Sequence, residues 1–313
     1  MKFLLTAINA KFIHSNPAIY SLRAGVGEKL QPYVELAEFT INESPESILE
    51  GIWKRQPKVI GFSCYIWNWK LIREILTELP KILPDTEIWL GGPEVTYDGP
   101  GLLREFPQVT GIMVGEGEVT FREVLGQYVR EAESTGQSEQ QPEPDSIEQQ
   151  AADRTGTLAG KSVAERFGQI PGLCLASGYT APRELTDLTT LPFLYEDMEP
   201  FTNRIIYYET SRGCPYRCSY CLSSIDKKVR LRDIDVVKRE LQFFLDQNVK
   251  QVKFIDRTFN CDHKHAMEIW EYIYKHDNGV TNFHFEISAD ILREEEIVLL
   301  NRFRPGLAQL EIG

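Results

Sequence analysis

Three cysteines close together carry the clearest chemical signal in this sequence. Cys214, Cys218 and Cys221 lie in the segment SRGCPYRCSYC, with three residues between the first two and two residues between the last two. Thiolates are soft ligands that suit zinc ions and iron–sulfur clusters. The chain has six cysteines, and half of them fall within these eight residues. We therefore interpret the segment as a metal site in a reducing compartment, not as part of a disulfide framework.

The number of thiolates bears on which metal the site would hold. A zinc site would need a fourth ligand, and Cys261, His263 and His265 are the candidates farther along the chain. A four-iron cubane held by three cysteines leaves one iron without a protein ligand. An enzyme can keep that iron open for a substrate, as catalytic zinc sites keep one position open. The pattern favours an iron–sulfur cluster, with zinc as the alternative.

The cysteine segment directly follows a predicted strand, and strand and helix patterns alternate from there on. Repeated strand–helix units build parallel sheets whose chemistry lies at the carboxyl ends of the strands, where the cysteines would be. The order predicts a parallel β/α sheet over residues 201–313, and the resemblance of the cysteine spacing to that of radical S-adenosylmethionine enzymes implies a partial (β/α) barrel of TIM type. Its strands are predicted at 204–210, 252–256, 283–288 and 307–313, and its helices at 236–247, 265–276 and 293–303.

The predicted fourth strand is the last element of the sequence. Its apolar residues Leu310 and Ile312 would form an open parallel edge, which natural proteins normally pair or cover. We expect either that the natural protein continues beyond Gly313 or that another chain supplies the rest of the barrel. Continuation is the preferred explanation.

Residues 1–129 also alternate between strand and helix patterns. Strands are predicted near 3–8, 34–41, 59–65, 87–92 and 111–118, and helices near 17–30, 45–55, 69–79, 102–106 and 120–129. This order predicts an α/β domain with a Rossmann-like (flavodoxin-like) parallel sheet, which would bind a ligand beyond the carboxyl ends of its strands. The small residues at those ends, where a bulky ligand can approach the backbone, are Ser63, Gly91, Gly92, Gly115 and Gly117.

The rest of the chain and its composition set limits on partners. Residues 130–165 are rich in Glu, Gln, Ser and Pro, which predicts a flexible linker or surface insert, and residues 166–200 are expected to form a connecting arm. A net charge of -12 argues against a nucleic-acid-binding surface. The sequence has no signal-peptide core and no run near the roughly 18 apolar residues of a membrane span, so we expect a cytoplasmic protein without a membrane partner.

The cysteine spacing resembles the signature of the radical S-adenosylmethionine (radical SAM) superfamily, in which C-x3-C-x2-C follows a strand of a (β/α) barrel. In that family the cysteines hold three irons of a [4Fe-4S] cluster, and the fourth iron binds the amino and carboxylate groups of S-adenosylmethionine. One electron from the cluster then breaks the sulfonium C–S bond and yields a 5′-deoxyadenosyl radical, which abstracts hydrogen from a substrate. The resemblance implies this chemistry at Cys214, Cys218 and Cys221.

The same resemblance implies contacts with S-adenosylmethionine. Tyr220 is in the family's aromatic position near the adenine. Asp256 lies where the family has a glycine-rich segment that meets the methionine amino group; this sequence has no Gly-Gly-Glu there, and Asp256 would have to serve. A helix N-cap or a loop acid is the alternative reading of Asp256. Glu286 and Ser288 occupy positions that contact the ribose or methionine, although Glu286 could also be a solvated strand end.

Over nearly its whole length the sequence resembles the cobalamin-binding subfamily of radical SAM enzymes, on the strings IGFSCYIW, EIWLGGPEVT and GIMVGEGEVTF. That resemblance implies a cobalamin site in the first domain. The Asp-x-His-x-x-Gly motif that supplies a lower axial histidine in other cobalamin proteins is absent, and we expect His14 to be a loop residue or a pocket contact. The cobalamin-binding residues implied are Ser63, Gly91, Gly92, Gly115, Glu116 and Gly117.

The expected function is that of a radical SAM enzyme with cobalamin as its second cofactor. The subfamily implies methyl transfer to, or rearrangement of, an unactivated carbon in a small-molecule or peptide substrate. The cluster would take its electron from an external donor such as flavodoxin or ferredoxin. Two alternatives are a radical SAM enzyme that does not use cobalamin and a non-catalytic iron–sulfur or zinc binding module. A catalytic role of Cys261 is left open.

Overall fold

The structure, a computed structural model, describes residues 1–134, 161–224 and 228–312. Within these three ranges no helix is both long enough and apolar enough to cross a membrane. The chain divides into two compact units. The first unit contains Met1–Phe12 with Asn16–Thr186, and the second contains Ile13–Ser15 with Asp187–Gly313.

The first unit is built on a seven-stranded sheet with the spatial order β2-β1-β3-β4-β5-β6-β7. Strands β1 to β5 run parallel, and β6 and β7 add antiparallel to the β5 edge. The predicted five-stranded parallel sheet is confirmed. The strands are β1 (Phe3–Asn9), β2 (Val34–Thr40), β3 (Val59–Ser63), β4 (Glu87–Gly91), β5 (Val109–Met113), β6 (Leu173–Leu175) and β7 (Gly178–Tyr179).

Helices cover both faces of this sheet because successive side chains of a strand point to opposite faces. In β1, Leu4 and Ile8 pack into one apolar cluster, and Phe3 and Leu5 pack into a second one on the other face. The helices are α1 (Pro17–Gly25), α2 (Pro45–Trp53), α3 (Trp69–Ile82), α4 (Gly99–Glu105), α5 (Gly117–Ser134) and α6 (Val163–Phe167), with a 3-10 turn at Gln31–Tyr33.

The bounds predicted for the flexible linker or surface insert at 130–165 differ from the structure at both ends. Residues 130–134 are the last turn of α5, and α6 begins at Val163. The middle of the predicted linker, residues 135–160, lies outside the described residues. The polar composition suggested one uninterrupted segment, but the residues at each of its ends belong to helices of the first unit.

Arg166 shows why α6 is ordered. Its side chain is 1% exposed, and its guanidinium donates to the carboxylates of Glu87 and Glu131 at 2.9 Å each. A buried charge persists only when it is paired and hydrogen-bonded. The neighbouring Phe167 is fully buried in the cluster that contains Phe3. These contacts attach α6 to β4 and α5.

The predicted connecting arm at 166–200 is also wrong, and with it the domain boundary after residue 129. Residues 173–175 and 178–179 form the hairpin of β6 and β7, and the first unit extends to Thr186. In this hairpin β6 is buried, whereas β7 is partly exposed. Two strands of three and two residues leave too little sequence for alternation to be recognised.

The second unit contains a parallel four-stranded sheet with the spatial order β13-β12-β11-β8, the arrangement expected of a partial (β/α) barrel. All four predicted strands occur, with ends that differ from the prediction by one or two residues. A two-stranded antiparallel ladder of β9 and β10 accompanies this sheet. The strands are β8 (Ile206–Tyr208), β9 (Ser211–Arg212), β10 (Arg230–Leu231), β11 (Gln251–Phe254), β12 (Asn282–Ile287) and β13 (Ala308–Ile312).

Three helices follow these strands, and aromatic side chains fill the space between helices and sheet. Phe254 and Phe285 lie with ring centroids 4.5 Å apart, and Phe259 and Trp270 pack against them. The helices are α7 (Ile234–Asp246), α8 (His263–Lys275) and α9 (Glu294–Leu300). Short 3-10 turns lie at Leu188–Thr190, Glu199–Phe201, Leu222–Ser224, Phe259–Cys261 and Ala289–Ile291.

Residues 13–15, which follow β1 in sequence, belong to the second unit. The backbone N–H of Ile205 donates to the carbonyl of Ile13 at 2.8 Å, and the Ser15 hydroxyl donates to the carbonyl of Ile205 at 3.2 Å. The His14 ring lies beside Tyr207 of β8 and hydrogen-bonds its hydroxyl through Nδ1. His14 was assigned to the first domain from its sequence position, and the structure corrects that assignment.

Candidate functional site

The cysteine loop, defined as residues 213–224, is held at its start by the ladder between β9 and β10. Arg212 pairs with Arg230, so the chain is cross-linked by backbone hydrogen bonds on both sides of the connection. Gly213 has a φ of +96°, and a Cβ there would lie 2.5 Å from the carbonyl oxygen of Lys228. Only glycine fits this left-handed turn, which directs the chain into Cys214.

The three cysteines of the loop differ in exposure. Cys214 is buried, with its sulfur 3.4 Å from the Thr258 hydroxyl, whereas Cys221 is half-buried and Cys218 is exposed. Within the described ranges, no three Cys, His, Asp or Glu side chains converge closely enough to hold a single metal ion. A four-iron cluster is larger than one ion, and each thiolate binds a different iron. Three thiolates on one loop at a strand end therefore fit a cluster better than zinc.

The side chains proposed as a fourth zinc ligand have other surroundings. His263 Nδ1 lies 2.9 Å from Glu296 Oε1. His265 is buried, and loss of water lowers the pKa of its imidazole. Burial, followed by the negative charge of Asp256, raises the pKa of the Cys261 thiol to about 11, which disfavours the thiolate that metals bind.

Asp256 is a buried acid of the second unit, at 1% exposure. Its Oδ2 accepts from the Thr210 N–H at 3.0 Å, and its Oδ1 accepts from the hydroxyls of Thr210 and Ser211 at 2.6 Å each. Burial raises the pKa of the Asp256 carboxyl, and these hydrogen bonds oppose the shift. The N-cap alternative is wrong, because Asp262 caps α8 through its bond with the His265 N–H. Contact with S-adenosylmethionine stays a prediction, and the buried carboxylate has no open face for it.

A second buried network lies where the chain returns from β10. The Arg232 guanidinium donates to both Glu240 oxygens, at 2.7 and 2.8 Å, and the Tyr208 hydroxyl donates to Glu240 at 2.6 Å. The Arg232 N–H donates to the carbonyl of Thr210 at 2.8 Å. Burial raises the pKa of Tyr208, and the charge of Glu240 adds to that effect. No motif in the sequence marks these residues.

Ser288, a predicted S-adenosylmethionine contact, does lie beside the cysteine loop. Its hydroxyl is 3.0 Å from the hydroxyl of Tyr216 and donates to Asp290 at 2.6 Å. Asn260 fixes the backbone of Ser288 with two hydrogen bonds, at 2.8 and 3.0 Å. Tyr220 is 90% exposed and therefore accessible to a ligand. Tyr216 and Asn260 were missed, although Tyr216 stands between two of the cysteines in sequence.

Glu286 belongs to a charged ladder on the half-barrel sheet, not to a solvated strand end. It pairs in register with Glu311 of β13, and Lys253 approaches both carboxylates, at 3.4 and 3.1 Å. His284 Nε2 lies 3.0 Å from Glu311. The Lys253 hydrogen bond is the main cause of the lowered pKa of Glu311, while burial is the main cause of the lowered pKa of His284. The role of Glu286 toward S-adenosylmethionine stays a prediction.

In the first unit, five of the six predicted cobalamin-binding residues line one pocket. The pocket, about 330 Å³ in volume, lies at the carboxyl ends of the parallel strands. Apolar side chains such as Leu5 and Met113 form its floor. Glu116 is the exception: its Oε2 accepts from the Thr186 N–H at 2.7 Å. The lining residues that were predicted are Ser63, Gly91, Gly92, Gly115 and Gly117.

The backbone at this pocket explains why glycine is used. Gly92 has a φ of +108°, and a Cβ there would lie 2.4 Å from the carbonyl oxygen of Cys64. Gly115 has a φ of +78°, and the position of its missing Cβ has no atom within 4 Å. An apolar pocket edged by bare backbone suits part of a large cofactor. The residues present therefore fit one arm of a cobalamin.

Two family models match the chain in the order of these two units. The B12 binding domain matches residues 4–125, and the Radical SAM superfamily matches residues 208–312. The chain therefore contains a B12 binding domain followed by a domain of the Radical SAM superfamily. The predicted pair of domains and the predicted cofactors of this radical SAM protein are thereby confirmed, whereas the individual contact residues remain predictions.

Similar proteins extend this result. The chain is 25% identical over 233 residues to 2-(S-pantetheinyl)-carbapenam-3-carboxylate methyltransferase of Streptantibioticus cattleyicolor, covering 69% of this chain and 30% of that protein. It is 24% identical over 284 residues to anaerobic magnesium-protoporphyrin IX monomethyl ester cyclase of Rubrivivax gelatinosus, covering 86% of this chain and 46% of that protein. The chain thus spans less than half the length of both relatives.

A solved structure shares the fold. It is the radical S-adenosylmethionine methyltransferase TsrM from Kitasatospora setae, with cobalamin and a [4Fe-4S] cluster bound. The match has a TM-score of 0.65 at 18% sequence identity, and it covers 100% of this chain and 59% of that one. At this identity the similarity concerns the fold of the radical SAM protein and not its substrate.

Proposed function

We propose that this chain binds a [4Fe-4S] cluster through Cys214, Cys218 and Cys221 and reductively cleaves S-adenosylmethionine. Cobalamin, held at the glycine-edged pocket of the first unit, would serve as the second cofactor. The observation that carries the proposal is the cysteine loop, which follows the first strand of a parallel half-barrel and is closed by its own β-ladder. The match to both family models supports it.

The cluster, when bound, would supply one electron to S-adenosylmethionine. An external donor such as flavodoxin or ferredoxin would provide that electron, and cleavage of the C–S bond leaves methionine and a 5′-deoxyadenosyl radical. The chain's own part is to position the reactants. The three thiolates leave one iron without a protein ligand, and Ser288 and Tyr216 place hydroxyl groups beside the loop where polar parts of S-adenosylmethionine could bind.

Methyl transfer to an unactivated carbon is the reaction we favour. Support comes from the carbapenam methyltransferase, to which 69% of this chain aligns. Ring formation or rearrangement is the second candidate, because the cyclase aligns with 86% of the chain. The substrate, a small molecule or a peptide, is left open in this proposal.

Anaerobic reconstitution with iron, sulfide, S-adenosylmethionine and hydroxocobalamin tests the function. With a reductant present, mass spectrometry should detect 5′-deoxyadenosine, and S-adenosylhomocysteine should appear if a methyl group is donated. Cys218→Ala is the control and should form neither product. A fully loaded cluster that yields no 5′-deoxyadenosine would support a non-catalytic iron–sulfur module instead.

The state of the cobalamin separates the remaining alternative. The sequence lacks the Asp-x-His-x-x-Gly motif that supplies a lower axial histidine in other cobalamin proteins. Electron paramagnetic resonance of the cob(II)alamin form should therefore show no nitrogen splitting from a protein ligand. Failure to bind any corrinoid, together with cleavage of S-adenosylmethionine, would indicate a radical SAM enzyme that does not use cobalamin.

A further inference from the structure

A buried carboxylate lies directly beneath the start of the cysteine loop. Asp256 follows β11, and the hydrogen bond from the Ile255 N–H to the Tyr208 carbonyl, 2.9 Å, sets it opposite Thr210. Three donors from Thr210 and Ser211 converge on its two oxygens. Burying a carboxylate is costly unless such donors replace water. The arrangement ties two elements that are 46 residues apart in sequence.

The residues that Asp256 holds determine where the first cysteine lies. Thr210 is fixed on both sides, because its carbonyl accepts from the Arg232 N–H at 2.8 Å. Gly213 then makes its left-handed turn, and Cys214 follows. At the far end, the Thr258 hydroxyl lies 3.4 Å from the Cys214 sulfur. The segment from Asp256 to Thr258 therefore contacts the residues just before the cysteine loop and, again, the first thiol of that loop.

We propose that Asp256 is a positioning residue for the cluster. It holds Thr210 and Ser211 so that the turn at Gly213 presents the Cys214 thiolate at the edge of the half-barrel. The part of this proposal that concerns a cluster rests on the proposed function. The placement of Cys214 by Asp256 does not. The proposal gives Asp256 a structural target within the chain, in place of the methionine amino group that the family resemblance implied.

The first test measures the accessibility of Cys214 without any cluster. Asp256→Asn keeps the shape but removes the charge. Its amide can keep three contacts only if the Thr210 and Ser211 hydroxyls turn from donors to acceptors, so charge-assisted hydrogen bonds are replaced by weaker neutral ones. In the metal-free chain, alkylation of Cys214 relative to the exposed Cys218, followed by peptide mass spectrometry, should become about tenfold faster. Glu296→Gln is the matched control.

The control changes an equally buried carboxylate with a different set of partners. Glu296 is 0% exposed, accepts from the Arg293 N–H at 2.8 Å and pairs with His263. Its substitution should lower the unfolding temperature of the second unit. The ratio of Cys214 to Cys218 alkylation should remain that of the wild type.

The second test reads the cluster itself. After anaerobic reconstitution, Asp256→Asn should retain no more than about half of the wild-type iron, and the electron paramagnetic resonance of the reduced cluster should change in its g-values. The shift that S-adenosylmethionine induces in that spectrum should weaken. A role in general stability alone would not alter g-values, and Glu296→Gln should keep the wild-type spectrum.

Thr210 provides a second pair of variants in case Asp256→Asn does not fold. Thr210→Val removes the hydroxyl donor, and Thr210→Ser keeps it. Faster Cys214 alkylation in the valine variant and wild-type behaviour in the serine variant support the proposal. The proposal is overturned if Cys214 is alkylated at the wild-type rate in both Asp256→Asn and Thr210→Val. If Asp256→Asn does not fold, a wild-type rate in Thr210→Val is enough to overturn it. If Cys214 responds as expected but the wild-type chain takes up no cluster, the proposed function fails and the positioning of Cys214 stands.

Discussion

The two units build their candidate sites in opposite ways. In the first unit the pocket is lined by apolar side chains such as Leu5 and by the bare backbone of Gly91, Gly92 and Gly115. In the second unit the site consists of side chains, the thiols of the cysteine loop and the carboxylate of Asp256 that holds the loop's start. A pocket edged by glycine backbone is sensitive to added side-chain atoms, whereas a site made of side chains is sensitive to their removal.

The buried ion pairs of the two units show the same contrast in their location. Arg166 pairs with Glu87, the first residue of β4, whereas the pocket lies at the other end of that strand at Gly91. Arg232, which directly follows β10 and therefore lies near the cysteine loop, pairs with Glu240 of α7. The buried ion pair of the first unit thus lies away from the pocket, whereas the buried ion pair of the second unit lies near the cysteine loop.

The largest expected effect is loss of the cluster. Replacing any one of Cys214, Cys218 or Cys221 by Ala removes one of three thiolate ligands, so reconstituted protein should lose the visible absorbance of a [4Fe-4S] cluster. Cys261→Ala is the control from the same unit and should retain it. A complete cluster in all three single variants would refute the assignment of the site to the cysteine loop.

Breaking the two buried ion pairs should separate stability from cluster binding. Arg232→Met leaves the buried Glu240 without its cation, and Arg166→Met leaves the half-buried Glu87 and Glu131 without theirs, at a cost of up to roughly 3–5 kcal/mol. Chemical denaturation should show a loss of that size in both variants. Iron content after reconstitution should fall only for Arg232→Met, because that residue directly follows β10. Equal iron retention in the two folded variants would contradict the contrast drawn above.

The glycines of the pocket should respond unequally to a single added methyl group. Gly115→Ala meets open space and bears only the strain of a left-handed backbone, about 1–2 kcal/mol. Gly92→Ala adds a collision with the Cys64 carbonyl, so its cost should reach about 3 kcal/mol or more. Denaturation midpoints and corrinoid titration measure both effects. Similar losses in the two variants would argue against close packing at Gly92.

Cys261 should give the smallest effect, a difference in thiol reactivity. With its pKa raised to about 11, chiefly by burial, the thiol should alkylate about a hundredfold more slowly at pH 8 than an ordinary exposed cysteine. The protonated thiol favours the folded state, so its contribution to stability is complete below pH 9 and is lost as the pH rises through about 11. Rapid alkylation at pH 8 would show that Cys261 is more open than the structure indicates.

Much of the fold could be predicted because its elements are encoded locally. The parallel strands are apolar runs bounded by turn residues, and the five parallel strands of the first sheet and the four of the second unit's parallel sheet were all predicted. The hairpin of β6 and β7 and the helix α6 were missed. Those elements are very short, and they are stabilised by contacts such as that of Arg166 with Glu87, which are 79 residues apart.

Three features of this radical SAM protein could be predicted from its sequence alone: three thiols at a fixed spacing, glycines at strand ends, and the order of two β/α domains. The contacts that position these residues became visible only in the folded structure. Asp256 was placed near the site by its sequence position, but its burial beneath Thr210 depends on the pairing of β8 with β11. Local patterns specify residue types and periodicity, whereas the partners of a buried charge are set by strand register over long separations in sequence.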